Sequence, residues 1–101
     1  MEHRDHTLAL ARLAGWCGFH CRRVAPETRR VAVANNFGGS LPRFRNVIQD
    51  ARYGRDLSDA DTQALLDLCM TLCRLFHIPP DDPVWSWRRT VSRGLALAAT
   101  G

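Results

Sequence analysis

The chain contains no lysine. All fourteen of its Lys and Arg positions are arginine, set against ten acidic residues of which only Glu2 and Glu27 are glutamate, for a formal charge of +4. Arginine surpasses lysine in bidentate recognition of phosphate and carboxylate. A lysine-free, alanine-rich composition is equally the mark of a GC-rich genome, so the arginine count by itself assigns no function. Long apolar runs are missing as well. The longest apolar-leaning stretch, Leu65 to Phe76, is broken by Asp67, Thr71 and Arg74, far short of the ~20 residues a bilayer span needs. No membrane association is expected. The first residues include Glu2, Arg4 and Asp5 ahead of a short run interrupted by Arg12, which is unlike a secretory leader, so the cytoplasm is the expected compartment.

Catalytic signatures are also scarce. No Ser or Cys is joined by a motif to a His and an orienting acid, and Cys21 beside His20 diverges from it by ~100° on a helix. The Asn-Asn-Phe-Gly-Gly-Ser segment at 35–40 lacks the Gly-Lys-Ser/Thr ending of a P-loop and the spacing of a dinucleotide fingerprint. A binding protein is expected, not an enzyme, and no cofactor is required.

What is present is a globular composition, 46% hydrophobic and 24% charged over 101 residues, enough for one core and too little for two. Residues 1–101 read as a single helical domain. Leu10, Leu13, Ala14, Cys17, Cys21 and Val24 recur at spacings of three and four and predict a first helix from about Thr7 to Arg23, weakened by Gly15 and Gly18. Pro26-Glu27 opens a second, ending near Asn35. Val31-Ala32-Val33 could alternate as a strand, but no second strand is available to satisfy its backbone. Ser40 caps a third helix with Leu41, Phe44, Val47, Ile48 and Ala51 on one stripe, stopped by Gly54. Ser58 with Asp61 opens a fourth, which runs to about His77 before Pro79-Pro80. Asp82 and Pro83 open a fifth, carrying Val84, Trp87, Val91, Leu95 and Ala98 on its inner face. The expected fold is all-α, a compact bundle of about five short helices.

Charge is distributed unevenly. Residues 22–55 hold eight arginines, Arg22, Arg23, Arg29, Arg30, Arg43, Arg45, Arg52 and Arg55, against Glu27 and Asp50, a net of +6, whereas residues 56–101 hold four Arg against six Asp, a net of −2. Arginines that neutralise phosphates, with aromatic residues between them as stacking surfaces, form a nucleic-acid footprint. Phe37 and Tyr53 are the candidate stacking residues, and nucleic acid or a nucleoprotein complex is the expected partner. The competing account makes Phe44 a core residue and the arginines a solvated outer face, some paired with aspartates of the acidic C-terminal half.

Two other functions compete. Trp85, with Arg88 and Arg89, has the character of a protein-interface anchor, which makes the chain a protein-binding adaptor or inhibitor. Burial of Trp85 against the Pro79-Pro80 turn, or a cation–π contact with Arg89, would remove that role. The third uses two Cys-x-x-x-Cys pairs, Cys17/Cys21 and Cys69/Cys73, continued by His77. If the first and fourth helices pack together, a zinc site drawing on both is conceivable. Disulfides are reasonable only in an oxidising compartment, and buried core thiols account for both pairs more simply. A homo-oligomer is compatible with all three.

Overall fold

The computed structural model describes the backbone of residues 2–100 and the side chains of residues 4–98. Its elements are five helices, α1 (Glu2–Arg23), α2 (Pro26–Phe37), α3 (Leu41–Arg52), α4 (Asp59–Leu75) and α5 (Pro83–Thr100). No strand occurs among the described residues, and no described helix is long and apolar enough to cross a membrane.

The caps explain why the boundaries fall where they do. The Ser40 hydroxyl accepts from the Arg43 N–H, and the Ser58 hydroxyl accepts from the Asp61 N–H, both at 3.1 Å, each satisfying a first-turn donor that has no partner within its helix. The Asp82 carboxylate accepts from the Val84 N–H at 2.9 Å, and Pro83 follows as the first residue of α5. α3 ends with Gly54 at φ 73°, where the Arg55 N–H reaches back to the Asp50 carbonyl. α4 ends in the same way, the Ile78 N–H bonding the Cys73 carbonyl, but the left-handed position is held by His77 at φ 51° and not by glycine. α4 therefore ends at Leu75, and His77 belongs to the turn.

Two helices are longer than their local patterns predict. α1 begins at Glu2, because its first turns lie along α5 and gain tertiary packing that sequence periodicity does not report. α2 continues to Phe37 and leaves only Gly38, Gly39 and Ser40 as the connection to α3.

α1 and α4 supply most of the centre. α1 packs chiefly on α5 and α3, while α2 lies across α4 and α3. Leu13, Ala14 and Cys17 of α1, Leu65, Leu68, Cys69 and Leu72 of α4, and Val84 and Val91 of α5 belong to one buried core cluster. Trp87 and Leu95 pack partly against this core, whereas Ala98 at the end of the expected inner stripe is exposed. Phe37 is 1% exposed, its ring centroid 5.4 Å from that of Phe44 in an edge-on arrangement, a favoured geometry for aromatic pairs.

Candidate nucleic-acid interface

The end of α1 creates a problem that α2 solves. The last carbonyls of a helix have no partner within it, and the Arg29 guanidinium supplies donors from the second turn of α2. Its Nε donates to the Cys21 carbonyl at 2.8 Å, and one terminal nitrogen donates to the Val24 and Arg22 carbonyls at 3.1 and 3.4 Å. This fixes α2 against α1 and places a half-buried guanidinium at the base of a surface groove.

That groove runs between α1 and α3 and has a volume of about 550 Å³. Arg22 from α1, Arg29 from α2, and Arg45 and Arg52 from α3 line it. Arg45 and Arg52 lie two helical turns apart and so project from one face of α3. Gly18, Leu41, Phe44 and Ile48 give the groove apolar lining, Cys21, Gln49 and Tyr53 complete it, and no carboxylate lines it. Gly18 faces Ile48 across the two helices, a Cβ there lying 3.7 Å from Ile48 Cγ2, an ordinary van der Waals contact. Leu41 is 41% exposed and Tyr53 is 71% exposed.

The remaining members of the basic cluster are placed elsewhere. Arg43 binds Asp61 of α4 through Nε and a terminal nitrogen at 2.9 and 2.7 Å and lies over Phe37. The Asp61 carboxylate therefore serves a tertiary ion pair. Arg55 is paired with Asp50 at 3.0 Å and lies over the Tyr53 ring, 5.6 Å from its centroid. Arg30 is exposed on α2, away from the groove. Arg23 lies over Phe76 and Phe19 on another face of α1. Phe37, expected as an exposed stacking residue in a glycine-rich loop, is instead a core residue of α2. The two further helical residues set it four residues after the buried Val33, on the same inward face.

His20 is enclosed beside Arg23, with the Trp16, Phe19 and Phe76 rings 4.0, 5.2 and 5.1 Å away. Burial and the neighbouring Arg23 charge lower its pKa, and Arg23 sits 3.5 Å from Nδ1, where a neutral ring can accept. The unfolded chain then binds the proton more readily, so His20 should remove stability as pH falls below its ordinary value of about 6.5. Thermal melts from pH 7.5 to 5 should show a steeper decline for the natural chain than for His20→Phe. Parallel profiles would exclude His20 as the source.

Trp85, expected as an interface anchor, makes contacts within the chain. The Trp85 Nε1–H donates to the Pro79 carbonyl at 2.9 Å, tying the half-buried indole to the turn before α5. Arg88, and not Arg89, lies over its ring at 5.6 Å. Arg89 remains exposed.

All four cysteines are buried free thiols. Cys17 of α1 adjoins Cys69 of α4. Burial raises Cys17 well above the ordinary thiol range, while a hydrogen bond from Cys17 and the nearby Arg88 guanidinium lower Cys69. Burial also pushes Cys73 up to about 12 and Cys21 to about 11. Cys21 belongs to the groove side of α1, and His77 is exposed beyond α4. Cys17, Cys21, Cys69, Cys73 and His77 do not come together as a zinc site. Cys69 lies within hydrogen-bonding reach of both Cys17 and Cys73, but among the described residues no group of three or more His, Cys, Asp or Glu side chains is disposed to hold a metal ion.

The apolar lining of the groove was the part of this surface that residue patterns did not expose. Ile48 and Leu41 read as core stripe and Gly18 as a weak point in α1. The signal available was a glycine on α1 opposite a β-branched residue on the most amphipathic helix. No family model matches the chain, and the searches of curated proteins and of solved structures returned no match.

Proposed function

We propose that this chain is a basic helical module that binds nucleic acid through the groove between α1 and α3, as a subunit or regulator of a nucleoprotein assembly. The observation that carries this reading is the convergence of Arg22, Arg29, Arg45 and Arg52 on one groove whose lining includes no carboxylate. Phosphates held by such side chains release condensed counterions, which makes affinity fall steeply with salt. Arg22, Arg45 and Arg52 are exposed and supply this electrostatic contact. Arg29 is already engaged with the α1 carbonyls and contributes mainly by shaping the groove. Arg43 and Arg55 are engaged in ion pairs and do not line the groove.

The test is a salt titration of binding to a labelled oligonucleotide. The natural chain should lose affinity linearly on a log–log plot. The Arg45→Gln/Arg52→Gln variant should flatten the slope by about 0.7–0.9 for each arginine removed. Arg30→Gln, outside the groove, should leave the slope close to that of the natural chain. Affinity that does not respond to salt, or equal slopes for the natural chain and the double variant, would overturn the reading.

A further inference from the structure

The arginines explain why a polyanion would be attracted, but they leave the apolar part of the groove without a role. Gly18, Leu41, Phe44 and Ile48 contribute apolar lining beside the arginines, and Cys21, Gln49 and Tyr53 complete it. A purely phosphate-binding surface has no use for such lining. Duplex nucleic acid presents its phosphates outward and keeps its bases stacked inside, so it would meet the arginines and leave the apolar lining uncovered. An unpaired strand carries both chemistries on each nucleotide, a charged backbone and a flat face free to stack or to enter a cleft.

We infer that the groove selects unpaired nucleic acid over duplex, with Tyr53 as its stacking platform, a conclusion that rests on the nucleic-acid reading above. Tyr53 lines the same groove as Arg45 and Arg52, so a strand held by those two arginines lies within reach of its ring. The ring is 71% exposed. Arg55, held by Asp50, lies over it at 5.6 Å and restrains its orientation without enclosing it. Arg22 on the opposite wall faces the same space, so a backbone along the groove is neutralised from both sides while a base rests on the apolar lining or against Tyr53. An acidic amphipathic peptide would also match arginines beside apolar lining. It would gain nothing specific from an exposed aromatic ring beside the arginines, and the test separates the two.

The experiment uses the full chain and a fluorescein-labelled single-stranded oligonucleotide about 16 nucleotides long, measured by anisotropy beside its annealed duplex. The single strand should bind at least tenfold more tightly at equal salt. Tyr53→Ala should weaken single-strand binding by about 5- to 100-fold, the cost of a lost base–aromatic stack, with duplex affinity and the single-strand salt slope unchanged, since no charge is removed. Tyr53→Phe should restore most of the loss. Tyr53 is exposed, so both variants should fold, which circular dichroism checks. Equal or tighter duplex binding with a steep salt dependence would overturn the selectivity and leave the nucleic-acid reading standing, as would Tyr53→Ala weakening both forms alike. Binding to neither form would overturn both conclusions, and a labelled acidic helical peptide bound in their place would point to a protein ligand.

Discussion

Replacing Phe37 with alanine should destabilise the fold by about 3–5 kcal/mol, the usual cost of emptying a phenylalanine-sized site in a packed core. The ring is 1% exposed and meets Phe44 edge-on, and the Arg43 guanidinium that pairs with Asp61 lies 5.6 Å from its centroid. Truncation therefore opens a cavity where α2, α3 and α4 meet and also removes the surface on which that ion pair rests. Phe37→Leu should cost considerably less, because most of the volume is kept. Chemical denaturation would measure both. A change within 0.5 kcal/mol, the scale of an ordinary surface substitution, would instead place Phe37 in an exposed loop and refute its position in the core.

The second large effect concerns two glycines that look alike in sequence. Both Gly15 and Gly94 interrupt long helices, and intrinsic propensity alone predicts that alanine would stabilise either by about 1 kcal/mol. The structure separates them. A Cβ at Gly15 would meet nothing within 4 Å, whereas at Gly94 it would collide with the His6 ring, leaving no room between α1 and α5 unless that ring moves. Gly15→Ala should therefore raise stability by about 0.5–1 kcal/mol. Gly94→Ala should lower it by about 1–3 kcal/mol, the range for overpacking, with part of the cost offset by helix propensity. Combining Gly94→Ala with His6→Ala should recover much of the loss, since the obstructing ring is then gone. Stabilisation by Gly94→Ala alone would show that the His6 ring moves aside at little cost.

These two cases also mark the limit of what local pattern reports. The end of α2 was misplaced because Asn35, Asn36 and Gly38 are all turn-favouring residues, and their combined signal concealed the spacing of four between Val33 and Phe37. Helix ends were otherwise legible where a side chain encodes them, as at Ser40, Ser58 and Asp82. The α4 end was misread by two residues because a left-handed histidine did what glycine usually does. Half of the proposed basic cluster reached the groove. Arg43 and Arg55 did not, since Asp61 and Asp50 lie within reach only once the helices are packed or the α3 turn is formed.

The sequence by itself determined that this chain is a five-helix, all-α bundle, because helix periodicity, caps and breakers are short-range properties written within a few residues of one another. Which residues face each other across helices was decided by the tertiary structure alone. Arg29 reads as one more surface cation until the carbonyl end of α1 is brought to it, and Gly18 as a weakness until Ile48 packs over it. The groove is made by three helices at once, so its composition depends on distances between residues more than twenty positions apart in sequence, such as Arg22 and Arg52, and no local pattern encodes such distances.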